Sequence, residues 1–181
     1  VRQPRHGHPC TTDATVDALE AASGAPAVRF AGVNRYATAV RMAIAMEEVQ
    51  TAYIVSGESF PDALAAGPAA GSEYAPLLLT KKDSLPPETR DYLAGSELSR
   101  IVIAGGTLAV SSAVEDAIRA AVPAATIIRH AGRDRYHTAR KIALSIPSTT
   151  GTVLYAPGSN FPDALAATPA AIINGAPLLL T

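Results

Sequence analysis

Residues 29–39 read RFAGVNRYATA, and residues 129–139 return to the phrase as RHAGRDRYHTA. Two more phrases recur in the same order 101 residues later. They are FPDALAA, first at residues 60–66, and APLLLT, first at residues 75–80. A register held over about fifty residues indicates a tandem duplication, and such a repeat predicts a fold built from equivalent units.

Short apolar runs recur along the whole chain, about 25 residues apart, and each is apolar without alternation. A strand that is buried on both faces of a parallel sheet has this pattern. The predicted strands are Val28–Phe30, Ala52–Ser56, Leu77–Thr80, Ile101–Ala104, Thr126–Arg129, Val153–Ala156 and Leu178–Thr181.

The intervals between these runs carry helix signals. An apolar stripe with helical spacing runs from Tyr36 to Ile44. Ser59 and Asn160 precede prolines and are the expected N-caps of two further helices. Other predicted helices are Thr12–Ala22, a short one running to about Leu93, and Ala113–Ala121. Strands that alternate with helices predict an α/β fold, with a parallel sheet, flanking helices and repeats of about 100 residues.

The repeat boundaries predict four segments. Residues 1–11 are expected to form a flexible tail, and residues 12–27 hold a helix that resembles the end of a preceding repeat. Residues 28–127 are expected to form one complete repeat, and residues 128–181 the first half of a second. Such a half repeat would leave apolar surface for further repeats or for self-association.

Composition excludes several classes of protein. The chain is 48% hydrophobic with a net charge of −1, which argues against an overall basic nucleic-acid-binding protein. No apolar run approaches the roughly 20 residues that a membrane-spanning helix requires, so no membrane insertion is expected. Cys10 is the single cysteine, which leaves neither a disulfide framework nor a four-ligand zinc site.

Each copy of the first phrase begins at a strand end and enters a helix. Ligands of open α/β sheets bind at the carboxyl ends of the strands, where helix N-termini and arginines favour anions. The chain has twelve Arg against three Lys, and arginine suits forked contacts with oxyanions. The residues predicted to bind an anion are Arg29, Asn34, Arg35, Tyr36, Arg129, Arg133, Arg135 and Tyr136.

A structural interpretation of the same residues is also open, and it is favoured for Arg35 and Asp62. Arg35 and Arg135 could instead form ion pairs with Asp62 and Asp163, respectively, and so tie two loops together. Both tyrosines would then be core residues. Gly32, Gly132, Gly105 and Gly106 are expected to serve tight turns.

Signals for catalysis are weak. Gly105-Gly106 follows a predicted strand, but no Gly-x-Gly-x-x-Gly and no Gly-Lys-Ser/Thr accompanies it. Ser56-Gly57 lacks the Gly-x-Ser-x-Gly elbow of hydrolases. His6, His8 and Cys10 could bind a soft metal, although their segment has the composition of a disordered tail. The sequence therefore predicts no catalytic residues, no metal and no cofactor.

The joint occurrence of these phrases, with Ile-x-Gly-Gly between them, closely resembles the bacterial cell wall binding repeat 2 family. The match covers nearly everything beyond the first residues. The resemblance implies a Rossmann- or toprim-like fold in a secreted, non-enzymatic module of Gram-positive cell wall and surface-layer proteins. Such modules occur in tandem, commonly in threes, and bind the wall without a covalent bond, in studied cases through anionic polymers.

The sequence thus predicts a module that attaches a protein to the cell wall through an anionic wall polymer. The main alternative is a Rossmann-like enzyme domain that binds a nucleotide or sugar nucleotide at Gly105-Gly106. A third interpretation is a structural piece that forms a homo-oligomer through its incomplete repeat.

Overall fold

The computed structural model describes residues 11–146 and 151–181, and its helices and strands alternate as the sequence predicts. The predicted tail up to residue 10, including His6, His8 and Cys10, lies outside the described residues. The helices are α1 Asp13–Ser23, α2 Arg35–Ile44, α3 Pro61–Ser72, α4 Pro87–Ala94, α5 Ser112–Ala121, α6 Arg135–Ser145 and α7 Pro162–Ile173. The strands are β1 Thr51–Ser56, β2 Leu77–Thr80, β3 Arg100–Ala104, β4 Thr126–His130, β5 Leu154–Ala156 and β6 Leu178–Leu180.

The first four strands form one parallel sheet in the order β2-β1-β3-β4. Both faces of β1 are buried, because Tyr53 and Val55 enter one core while Ala52 and Ile54 enter the other. This double burial explains the unbroken apolar runs of the sequence. The parallel sheet with flanking helices confirms the α/β prediction at that level.

The second copy reproduces the beginning of the first. Strands β5 and β6 pair in parallel, and Leu154 faces Leu178 just as Tyr53 faces Leu77. These pairs correspond at the repeat distance of 101 residues.

Helix α3 lies between the two sheets and is the most buried helix among the described residues. Its core residues are Pro61, Leu64, Ala65, Ala66, Pro68, Ala69 and Ala70. One side packs on β1 and β3, and the other side packs on α6, α7 and β6. A helix that is apolar all round is expected in such a position.

Helices α3 and α7 approach closely and run in the same direction. A Cβ atom added at Gly67 would lie 2.9 Å from Cγ2 of Thr168, and one at Gly71 would overlap Ile172. At the helix starts, the rings of Phe60 and Phe161 have centroids 5.7 Å apart. All three contacts join equivalent positions of the two copies, so the copies pack side by side along these helices.

Two local predictions are wrong. Residues 28–30 do not form a strand, and Val28 is 74% exposed. Their counterpart β4 pairs with β3, whereas no described strand lies beside residues 28–30 to accept such pairing. Ser59 and Asn160 are not N-caps, because the cap positions are taken by Phe60 and Phe161 without a side-chain hydrogen bond. No helix among the described residues is long and apolar enough to span a membrane.

The contact between α3 and α7 predicts the effect of Gly67→Leu. Leucine has a higher intrinsic helix propensity than glycine, so the substitution does not destabilise α3 by itself. A decrease in the free energy of unfolding, expected to be about 1–3 kcal/mol, must therefore come from overpacking against Thr168. Relative to the unmodified chain, hydrogen exchange should show a larger loss of protection in α7, β5 and β6 than in β1 and β3. Gly95→Leu is the matched control, because a Cβ at that exposed glycine would make only ordinary contacts, 3.5 Å from the carbonyl oxygen of Asp91 and 3.9 Å from that of Tyr92. Uniform loss of protection in both sheets would contradict the predicted weakening of this one contact.

Candidate functional site

The first phrase forms a hydrogen-bonded turn that starts α2. The Asn34 side chain accepts a bond from the Ala37 amide at 2.9 Å and caps the helix. The Gly32 amide donates to the Thr38 hydroxyl at 2.9 Å, and that hydroxyl donates to the Asn34 carbonyl at 3.0 Å. A Cβ at Gly32 would lie 2.6 Å from the carbonyl carbon of Ala37, so only glycine fits this position.

The second copy builds the same turn with aspartate in place of asparagine. The Asp134 carboxylate accepts the His137 amide at 2.8 Å, and the Gly132 amide donates to the Thr138 hydroxyl at 3.0 Å. Hydrogen bonds from the backbone and the ring of His137 lower the pKa of Asp134. The recurring Gly, Asn/Asp and Thr of the phrase therefore serve helix capping.

The arginine of each phrase ties its helix to the loop that follows the next strand. Arg35 donates from Nη1 to the carbonyl of Gly57 at 2.5 Å, and Arg135 donates to the carbonyl of Gly158 at 2.6 Å. Both arginines remain exposed. They are held at the carboxyl ends of β1 and β5, with part of each guanidinium open to solvent.

The tyrosine of each phrase packs on the same glycine loop. A Cβ at Gly57 would lie 2.8 Å from Cε1 of Tyr36, and one at Gly158 would lie 2.8 Å from Cε1 of Tyr136. Tyr36 is 9% exposed, whereas Tyr136 is 44% exposed. Burial is the main cause that raises the pKa of Tyr36. The ring thus positions the loop, and the more open ring belongs to the second copy.

The predicted ion pairs do not form. Among the described residues, no ion pair within 4.0 Å joins Arg35 to Asp62 or Arg135 to Asp163, because both arginines turn to the glycine carbonyls instead. Asp62 lies against Gly105, whose φ of +121° and missing Cβ leave room for the carboxylate. Burial raises the pKa of Asp62, and the charge of Arg135 from the other copy opposes that shift.

Arg129 is held by structural contacts. Its Nε and Nη2 donate to one carboxylate oxygen of Glu115 at 3.0 and 2.7 Å. Its Nη1 donates to the carbonyls of Gly105 and Val110 at 2.8 and 2.9 Å. The side chain is 17% exposed. Little of this guanidinium is left for a ligand, and the geometry favours a structural role over the predicted binding role.

The other predicted ligand residues lie apart from one another. Arg29 donates to the carbonyl of Thr11 at 2.9 Å. Asn34 uses its amide to donate to Glu88 at 2.7 Å, and this bond is the main cause that lowers the pKa of Glu88. Arg133 is 78% exposed beside the cap of α6, where its Nε lies 3.4 Å from the Asp134 carboxylate and donates to Nδ1 of His137 at 3.2 Å. Arg133 is therefore far more open to solvent than Arg129.

Two pairs of residues at this edge were missed. Lys81 and Lys82 are exposed directly after β2. Their position directly after an apolar run is the sequence feature that indicates cations at this edge. Phe60 and Phe161 open the two copies of the FPDALAA phrase, and their rings contact each other across the two copies. That contact cannot be predicted from the residues themselves, because it depends on how α3 and α7 pack.

The glycine pair after β3 does not resemble a phosphate site. Gly105 donates its amide to the carbonyl of His130 at 2.9 Å, and the Gly106 carbonyl accepts from the next turn. The Asp62 carboxylate lies against Gly105, where it would repel a phosphate. Within residues 11–146 and 151–181, no three His, Cys, Asp or Glu side chains come together as in a metal site.

Comparison with known proteins finds one family profile twice along the chain. The profile of the family described as cell wall binding domain 2 (CWB2) matches residues 29–115 and again residues 129–181. The chain belongs to the CWB2 family. Both matches begin at the arginine that opens the recurring phrase.

Two curated relatives of this CWB2 chain come from Bacillus subtilis. It is 40% identical over 154 residues to N-acetylmuramoyl-L-alanine amidase LytC of Bacillus subtilis, covering 84% of the chain and 30% of LytC. It is 33% identical to the amidase enhancer of Bacillus subtilis, covering 84% of the chain and 21% of that protein. The chain thus spans less than a third of either relative.

Solved structures with this fold include two proteins of Clostridium difficile. Cwp6 matches with a TM-score of 0.78 at 30% identity, over 84% of this chain and 24% of Cwp6. Cwp8 matches with a TM-score of 0.79 at 26% identity, over 93% of this chain and 29% of Cwp8. The CWB2 chain is accordingly a cell wall binding module of a secreted, wall-associated protein.

The four hydrogen bonds of Arg129 predict that Arg129→Lys destabilises the CWB2 fold. Lysine keeps the charge but loses the planar fork, so the free energy of unfolding should fall by about 2–3 kcal/mol. Arg119→Lys is the matched control, because Arg119 also pairs with Glu115 but is 53% exposed. That control should cost less than about 0.5 kcal/mol. Equal losses in denaturant titrations would contradict a special role for Arg129.

The burial of Asp62 predicts a pH-dependent effect of Asp62→Asn. The raised pKa means that the charged carboxylate costs stability in the folded state. This cost grows as pH rises from the ordinary carboxyl pKa to the raised one, and it is complete above the raised one. Asp62→Asn should therefore raise the melting temperature at neutral pH, and the gain should vanish in acid below the ordinary carboxyl pKa. Asp163→Asn, at the exposed equivalent position, should change little. A lower melting temperature for Asp62→Asn at pH 7 would refute this prediction.

Proposed function

We propose that this CWB2 module binds an anionic polymer of the cell wall without catalysis, through the edge formed by the strand ends of both copies. The observation that carries the proposal is the repeated tie between Arg35 and Gly57 and between Arg135 and Gly158. Each tie fixes an exposed guanidinium beside the end of a strand. Arginine is well suited to bind carboxylate and phosphate groups.

Other exposed cations support this placement. Arg133 follows β4, and Lys81 and Lys82 follow β2. Arg129 contributes to stability instead, since its donors are largely engaged by Glu115 and two carbonyls. Several separate cations along one edge suit a polymer, which can touch them one after another, better than a small molecule.

The alternative, a nucleotide or sugar-nucleotide enzyme, is not favoured. The Asp62 carboxylate lies against the Gly105 turn, which is where that interpretation would require a phosphate. We retain a Rossmann-like assignment of the fold as a proposal, supported by the strand order β2-β1-β3-β4 and by helices on both faces. We also retain the proposal that nucleic acid is not a ligand, supported by the net charge of −1.

The proposal predicts salt-sensitive sedimentation with purified, protein-free cell walls. The chain should sediment with intact walls at low ionic strength and several-fold less at high ionic strength, because salt screens contacts between exposed charges. Walls stripped of their anionic polymers should retain much less protein. Arg133→Gln should weaken binding to intact walls, since it removes an open cation without breaking a strand-end tie.

Arg119→Gln is the control for this experiment. Arg119 is an exposed arginine paired with a nearby carboxylate, but it lies in the last turn of α5, just before the amino end of β4 and not at the carboxyl end of a strand. Equal binding to intact and stripped walls would rule out an anionic polymer as the ligand. An equal effect of the two substitutions would rule out the strand-end edge as the site.

A further inference from the structure

Two phenylalanine rings lie exposed at the junction of the copies. Phe60 is 40% exposed and Phe161 is 50% exposed. Their centroids are 5.7 Å apart, and their planes meet at 61°, which is an edge-to-face contact. This contact leaves apolar ring surface from both copies open to solvent at one place.

The packing of the copies does not cover these rings. Leu64 is 8% exposed while its equivalent Leu165 is 58% exposed, so the exposure of that position depends on the neighbouring copy. Phe60 stays open even though the second copy packs against α3. Phe60 therefore keeps open ring surface at this junction even where a neighbouring copy is packed beside it.

The rings lie beside the cationic part of the strand-end edge. Phe60 immediately precedes α3, and the charge of Arg135 acts on Asp62 in the first turn of that helix. Arg135 itself is fixed by the carbonyl of Gly158, three residues before Phe161. An apolar surface and an exposed guanidinium are thus brought together by residues of both copies.

We propose that Phe60 and Phe161 form a stacking platform for sugar rings of the wall polymer, with Arg135 beside it to meet the polymer's anionic groups. The face of an aromatic ring carries partial negative charge and attracts weakly polarised C–H groups. One face of a pyranose ring presents such C–H groups, while its hydroxyls and acidic groups point outward. The proposal rests on the proposed function and names the chemical class of its ligand.

The duplication supports a polymer as the occupant. The two rings occupy equivalent positions of the two copies, and each precedes the same Pro-Asp-Ala-Leu-Ala-Ala sequence. A ligand that meets both rings presents similar chemistry twice, and a glycan built from repeating units does so. The polymer's repeat would then be bound by a repeat of the protein.

The double variant Phe60→Leu/Phe161→Leu tests this platform, because leucine keeps an apolar side chain but has no aromatic face. Sedimentation with purified walls is measured at two ionic strengths at which the unmodified chain still binds. Affinity should fall about tenfold at both, because the lost contacts with the two ring faces are not screened by salt. Circular dichroism and melting temperature establish that the variant is folded.

Tyr74→Leu is the matched control. Tyr74 is an aromatic residue, 61% exposed, just beyond the opposite end of α3, so its replacement should leave wall binding unchanged. Unchanged affinity of the double variant would overturn the platform, and so would a loss that disappears at the higher ionic strength. Failure of the unmodified chain to bind walls at any ionic strength would instead refute the proposed function.

Discussion

The close approach of α3 and α7 is the constraint on which the rest of the structure depends. Gly67 and Gly71 leave the space that Thr168 and Ile172 occupy, so the second copy can pack directly on the first. This approach buries α3 between two sheets, and the core on that face of β1 contains residues of both copies. Larger side chains at these glycines would separate the copies and expose that core.

The same packing determines what the strand ends present. Because equivalent residues of α3 and α7 face each other, the carboxyl ends of β1 and β5 lie at the same edge. Arg135 of one copy then acts on Asp62 of the other, and Phe60 meets Phe161. The proposed binding surface is therefore a property of the pair of copies, and neither copy holds it alone.

Much of the fold could be predicted because it follows from local pattern and repetition. Unbroken apolar runs identified the paired strands, and the duplicated phrase identified the units. The prediction of a strand at Val28–Phe30 is wrong because a strand needs a neighbouring strand to pair with, and the residues of the segment itself do not show whether one is present. For the candidate site, the sequence identified Arg35 but not its partner. The sequence does not show whether a guanidinium will bond to a carbonyl or to a carboxylate, because the geometry of the turn decides between the two.

The central claim is that the strand-end edge of both copies binds the wall polymer, and an NMR titration tests it most directly. Backbone amide signals are followed while anionic polymer purified from cell walls is added. The account predicts the largest shifts at residues 56–62 and 157–163, which adjoin the ends of β1 and β5. Shifts confined to residues 45–50 and 95–99, at the opposite edge of the sheet, would contradict it.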